Sequence, residues 1–500
     1  MNTLDAFTGY REDLAKIVKP GNIISDTSIL EKYSRDNSTT EPCRPLLLVY
    51  PETKDEVKAI VRLANENRIP LVPISSGPPH FHGGTVPSQS GVIVDFSRVK
   101  RIIKIDALNR CVMVEPGVTY GELIPEVRNH GLKLNIPLLP RTSKSVLTSY
   151  LEREPVIIPK YQYDYMDPLL TLEVIYGTGD EFRTGSASGP GDMEHLKSDK
   201  VNPWGPGSID YYRFVSGAQG TMGLVSWANI KVEVLPSLQK LYFVIVENPA
   251  KAAELMNTLL RKRVVDECLA LNNIDLAAIL AENIPADYQE LKRNLPAWTV
   301  IVCIAGYKRR PEERVDIQEK YLFEISEDLG TKPQVGLPGF ERAENSMIEL
   351  FTDCWHGETY WKLLEKGACQ DIFFLTPMSK VGDFTDLMGA IAGKHHYRSD
   401  DIGCYIQPMV QGRGCHCEFN LPYNPSDIHK VDEVRKLFKN ASVTLMENGA
   451  FFSRPYGLWA DMVYNRNTAG VTALRKLKDI FDPNNILNPG KLCFEETRYG

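Results

Sequence analysis

Two glycine-rich stretches carry the residue types that could bind a phosphorylated ligand. The first is Ser75-Ser76-Gly77-Pro78-Pro79-His80-Phe81-His82-Gly83-Gly84, and the second is Ser216-Gly217-Ala218-Gln219-Gly220-Thr221-Met222-Gly223-Leu224-Val225. Small residues let backbone N–H groups converge on a pyrophosphate, serine hydroxyls add donors, and glycine permits close approach. His80 and His82 form a His-x-His pair, which suits a proton relay, a pair of metal ligands or a solvated loop equally well. Two ligands do not define a metal site, so no metal is expected. Cys415-His416-Cys417-Glu418 alternates in type. As a strand it puts both thiols on one face, toward a core, and His416 with Glu418 on the other, toward a substrate or solvent.

The elements that must position these residues can be read from hydrophobic periodicity. Leu46 to Tyr50 reads as a buried strand, Val57, Ile60, Val61 and Ala64 as one face of a helix, and Leu71 to Ile74 as the strand feeding the first glycine loop. Short strands follow at Gly91–Phe96, Ile102–Ile105 and Cys111–Val114, then a helix capped by Thr119. Beyond Pro236 a second layer is expected, with strands at Leu241–Val246, Trp298–Gly306, Cys404–Met409 and Cys415–Leu421 and helices on one side. The predicted class is α+β.

Composition narrows the function. The chain has 500 residues, 43% hydrophobic, with a formal net charge of -7, so it supports two or three cored domains and offers no basic face for nucleic acid. The N-terminus lacks a basic segment followed by an apolar one, and no apolar window approaches the roughly 18 residues of a spanning helix. A cytoplasmic protein without a membrane span is expected, its ten cysteines reduced and mostly buried.

Four pieces in register resemble the vanillyl-alcohol oxidase and p-cresol methylhydroxylase family of flavoproteins. They are Val49-Tyr50-Pro51-Glu52-Thr53 with its helix, the loop before Gly83-Gly84, Val114-Glu115-Pro116-Gly117-Val118-Thr119-Tyr120, and the closing Asp482-Pro483 through Asn488-Pro489-Gly490-Lys491. The resemblance implies a p-cresol methylhydroxylase-type FAD-binding domain over 1–236, a cap over 237–448 that covers the substrate, and a segment 449–500 returning to the first domain. It implies cofactor contacts from Ser75, Ser76, Gly77, Gly83, Gly84, Thr85, Pro140, Ser145, Ser149, Gly217, Gly223, Val225 and Lys491. By register, Glu152 takes the acidic position near flavin N5, Arg454 the anion-binding position, and His82 and Ser453 replace two tyrosines. Glu152 and His82 would then handle a proton, and Arg454 would anchor an anionic substrate. The segment Cys369–Pro377 lacks the His or Tyr that tethers flavin in some relatives, so FAD is expected to be noncovalent.

The implied activity is hydride transfer to flavin from a 4-hydroxybenzyl, 4-alkylphenol or other aromatic alcohol substrate, with electrons passing to oxygen or to an acceptor protein, in a monomer or a homo-oligomer. A second expectation on the same fold is a 2-hydroxy-acid dehydrogenase. A third is a noncatalytic scaffold or subunit, motivated by Pro78 and Pro79, which cannot donate backbone hydrogen bonds, and by the bulky Val156–Tyr165 segment.

Overall fold

The computed structural model describes residues 3–38, 40–164, 167–187, 212–282, 286–338, 340 and 343–494. Its strands form three sheets. In the first, Leu47–Val49 and Leu71–Ile74 flank Val92–Asp95 in parallel, with Leu47 and Leu71 both opposite Val92. The crossover helix Lys54–Asn67 starts where the Thr53 hydroxyl accepts the Glu56 N–H at 3.2 Å and ends at Arg68, which turns left-handed (φ 52°). It buries Val57, Ile60, Val61 and Ala64, the face expected from spacing. The strand Leu71–Ile74 therefore delivers the first glycine loop at its C-terminal end, where α/β units place their ligands.

The second sheet is antiparallel around the long strand Leu224–Val234, which pairs with Cys111–Val114, Leu132–Leu134 and Leu169–Ile175. The second glycine-rich turn leads directly into that strand. Helix Tyr120–Asn129 carries the expected Thr119 cap as a full capping box with Glu122.

The third sheet has seven antiparallel strands, and its order places Gly403–Met409, Gly414–Tyr423 and Ala368–Thr376 side by side at one edge. Helices were expected on one side only, but the structure covers both faces. Helices Pro249–Arg261, Pro311–Asp328, Val381–Lys394 and Ile428–Glu447 pack on one face, while Asn273–Leu280 and Ala286–Asn294 pack on the other. The reason is visible in Trp298–Gly306, buried at all nine positions, which needs apolar cover on both sides.

Chain beyond Gly449 joins the sheets together. Phe451 bridges Leu375 at the edge of the seven-stranded sheet, and Leu487 bridges Leu71 in the parallel one. The Asp482 carboxylate accepts N–H groups from Ile486 (3.0 Å) and Leu487 (2.8 Å), fixing the turn that brings Asn488 against Gln219 and Gly84. None of the ten cysteines is disulfide-bonded, and eight are buried. Among the described residues, no helix is long and apolar enough to cross a membrane.

Candidate functional site

The two glycine-rich stretches, the helix Val146–Leu151 and the strands Ala368–Thr376, Gly403–Met409 and Gly414–Tyr423 of the seven-stranded sheet line one cavity. Ser75, Ser76, His82, Gly84, Thr85, Pro140, Gly223 and Val225 line it, as do Glu152 and Arg454. Sequence positions 75 to 454 thus converge on one space.

Other residues expected to touch the cofactor support the walls instead. The Gly77 N–H is taken by the Ser143 carbonyl at 2.9 Å. Ser145 caps Val146–Leu151, and Ser149 donates to Glu154. Gly217 donates its N–H to Leu151, and Lys491 donates to the Gly83 carbonyl at 2.9 Å. None of these six lines the cavity; neither do Pro78 and Pro79. Neither these prolines nor the described residues of the Val156–Tyr165 segment line the cavity.

The cavity's glycine-loop wall suits a pyrophosphate. Among the described residues, no acceptor pairs with the backbone N–H groups of Ser76, His82, Gly84 or Thr85. A Cβ at Gly84 would rest 3.4 Å from the Tyr456 ring and narrow the space those donors face. His80 stays neutral, because burial and then Arg141 push its pKa down to about 4.

The other end of the cavity is a compartment of aromatic rings and charges. Short-range geometry explains how helix Val146–Leu151 serves it: Arg153 turns left-handed (φ 59°), so the chain reverses and both Glu152 and Glu154 face the cavity. Lys144 donates to Glu152 at 3.1 Å and also to Glu154. Arg454 is 6% exposed, stacks over Phe373 at 3.9 Å and lies 3.8 Å from Glu154. Burial pushes the Glu154 pKa up, but Lys144 and Arg454 outweigh it and hold the carboxyl below its usual range.

Alternation on the edge strands supplies the rest. Asp371 and Phe373 on Ala368–Thr376, His416 and Glu418 on Gly414–Tyr423, and Tyr405 share one sheet face, while Cys415 and Cys417 enter the core behind it. Lys362 reaches down between two carboxylates, 2.8 Å from Asp371 and 2.5 Å from Glu418. His416 bonds Glu418 at 2.9 Å. Burial raises the Glu418 and Asp371 pKa values, yet Lys362 and the neighbouring histidines prevail and keep both ionised. Burial keeps His416 neutral against the pull of Glu418. His82 stacks on Tyr456 (5.1 Å between centroids), and its Nε2 lies 3.7 Å from Asp371, too far for a hydrogen bond. Sequence reasoning missed Lys362, Asp371, Glu154 and Lys144. The available signal was a charged residue inside the apolar run Cys369–Leu375.

Asp275 adds a pH dependence behind this network. It accepts from Asn420 at 2.9 Å, but burial raises its pKa to about 7. The native state thus holds a proton that the unfolded chain releases near pH 4, so this group's contribution to stability declines as pH rises from about 4 to 7 and is flat above. Asp275→Asn is expected to match the wild-type melting temperature at pH 5 and to exceed it at pH 8. A gain of ~1 kcal/mol would appear as about 1 °C in a chain of 500 residues. Thermal melts of both proteins at the two pH values check this.

The fold and cavity define an FAD-binding protein, and the comparisons agree. Residues 45–146 match the FAD binding domain family and residues 459–492 the C-terminal domain of FAD linked oxidases. The glycolate oxidase subunit GlcD of Bacillus subtilis (strain 168) is 24% identical, over 98% of this chain and 97% of that protein. The flavoprotein subunit of 4-cresol dehydrogenase [hydroxylating] from Pseudomonas putida is 23% identical, over 94% and 92% respectively. The structure of p-cresol methylhydroxylase with substrate bound superposes with a TM-score of 0.84 at 18% identity, covering 99% of this chain and 98% of the other. The chain thus carries the FAD-binding and C-terminal domains of FAD-linked oxidoreductases on the fold of p-cresol methylhydroxylase.

Proposed function

We propose that the protein oxidises a phenol-like aromatic substrate at the carbon attached to its ring, with Arg454 binding the anionic oxygen. The observation that carries this reading is the Arg454 guanidinium: buried, stacked on Phe373, and facing a carboxylate at 3.8 Å that is too distant to take up its N–H fork. Tyr360, Tyr405 and Tyr456 wall the same compartment, and burial keeps their phenols protonated, so they orient a ring without adding charge. FAD, when bound, supplies the hydride acceptor. The chain's own residues bind and align the substrate and manage its proton. His82 Nε2 is buried and has no hydrogen-bond partner among the described residues, so it is placed to take a hydroxyl proton, and the ionised Asp371 beside it stabilises the charge that results. Glu152, balanced by Lys144, offers a second carboxylate at the cavity wall.

The same Arg454 and His82 could take the carboxylate and hydroxyl of a 2-hydroxy acid, the second reading. Anaerobic mixing of the FAD-loaded enzyme with 4-ethylphenol and, separately, with D-lactate separates the two. Flavin bleaching by the phenol alone supports our reading, and bleaching by the acid alone overturns it.

The FAD is held noncovalently in this account, since Ala368–Thr376 presents Asp371 and Phe373 to the cavity and carries neither His nor Tyr. Acid precipitation is expected to release all yellow flavin into the supernatant. Colour retained in the pellet would contradict this.

A further inference from the structure

Beyond Arg454 the same sheet face continues into a second cavity. Each edge strand contributes to both spaces in turn: Phe373 then Leu375, Glu418 then His416, Tyr405 then Met409. Arg454 and Pro155 line both and form the partition. On the opposite wall, the left-handed turn that sends Glu152 and Glu154 into the first cavity sends Arg153 into the second. The two spaces are neighbours, with Arg454 and Pro155 between them.

Their electrostatics differ. The first compartment balances Lys144, Lys362, Arg141 and Arg454 against Glu152, Glu154, Asp371 and Glu418. Among the described residues, the second is lined by Arg153, Arg213, Arg413 and Arg454 and by the carboxylate of Asp164. Asp164 is engaged by Arg213 at 2.5 Å. Arg153 is locked in place by Ser216, its Nε 3.1 Å from the hydroxyl and its Nη2 2.7 Å from the carbonyl, neither of which neutralises it. Arg413 is exposed, and no carboxylate among the described residues pairs with it. His416 is neutral and adds no charge. A concave site in which Ser216 holds Arg153 without neutralising it and Arg413 has no carboxylate partner among the described residues matches a carboxylate or phosphate ligand.

We propose that this second compartment binds an anionic group, a carboxylate or phosphate, carried by the substrate on the side of its ring that meets Arg454. The inference rests on the first compartment being the substrate site. Phe373 and Leu375 are one two-residue strand step apart, roughly 7 Å. The anion therefore belongs a few bonds from the ring, at the end away from the carbon being oxidised. Arg454 would contact both parts of such a molecule, and Arg153 and Arg413 would hold its tail.

Two measurements on the FAD-loaded enzyme test this. Calorimetric titration with inorganic phosphate at low ionic strength needs no turnover. Wild type is expected to bind one phosphate per chain, and Arg413→Gln, an exposed substitution, to bind it about tenfold more weakly. No binding by wild type, or equal binding by the variant, overturns the proposal. The second compares 5-ethyl-2-hydroxyphenylacetate with its methyl ester as flavin reductants. The acid is expected to exceed the ester in kcat/KM by about tenfold or more in wild type, and the advantage to vanish in Arg413→Gln. Phosphate binding that depends on Arg413 with no preference for the acid would mean a site for free anions and would overturn the substrate-tail assignment. Arg413-dependent phosphate binding with neither phenol reducing the flavin would instead count against the phenol reading, leaving an anion site whose substrate is not phenolic.

Discussion

Arg454→Gln is expected to lower kcat/KM for an anionic aromatic substrate by roughly 10²–10³, the range set by truncating one partner of a buried charge-assisted contact. Glutamine keeps some of the bulk over Phe373 but removes the positive charge and the forked donors. Glu154 remains compensated by Lys144, so the fold should survive the change. The FAD content should also stay near wild type, because the unpaired N–H donors of the glycine loop lie on another wall. Arg454→Lys restores charge without the planar fork and should recover only part of the loss. A variant that loses activity in proportion to lost FAD would show that Arg454 is structural, whereas full FAD content with a selective loss on anionic substrates supports anchoring. Anaerobic reduction kinetics and flavin absorbance on the same samples give both numbers.

The second large effect concerns stability. Lys362 is the buried cation between Asp371 and Glu418, all three nearly inaccessible to solvent. Lys362→Met leaves two buried carboxylates without their shared partner, a change that costs about 3–5 kcal/mol. Both acids should respond by taking up protons, since the main charge that holds them ionised has gone and only the neighbouring histidines still oppose burial. The variant is therefore expected to be least stable relative to wild type above neutral pH and to recover as pH falls. Glu418→Gln in the same chain should return a large part of the loss, because one carboxylate fewer is stranded. Denaturant melts of wild type, Lys362→Met and the double variant at two pH values test this. Equal stability of wild type and Lys362→Met would mean that the triad has no such role.

The parts of the site that lie on regular elements were legible in the sequence. The alternation Cys415-His416-Cys417-Glu418 foretold which side chains face the cavity, because a strand's side-chain period is two and apolar thiols mark the core side. The loop after Leu71–Ile74 was legible for a similar reason, since strand and helix signals on either side fix where it emerges. Arg454 received its role only through resemblance, whereas His82 also stood out in the His-x-His pair of the first glycine-rich stretch. What stayed hidden was pairing across sequence. Lys362 sits in Tyr360-Trp361-Lys362-Leu363, which reads as a short solvated turn until the fold lays it over Asp371 and Glu418. Glu154 follows Glu152 by two positions, and only the left-handed Arg153 between them brings both to the cavity. Gly77, Ser145, Ser149 and Gly217 do not line the cavity, and their donors bond to neighbouring chain, which the sequence does not reveal.

The central claim is that this chain breaks a carbon–hydrogen bond next to an aromatic ring held by Arg454. The most direct measurement is the anaerobic rate of flavin bleaching by 4-ethylphenol and by the same phenol deuterated at the ring-bound carbon of the ethyl group. The account predicts that both bleach the flavin, that the deuterated substrate is slower, and that Arg454→Gln slows both while retaining the isotope effect. A flavin-loaded enzyme that 4-ethylphenol leaves fully yellow would contradict the account.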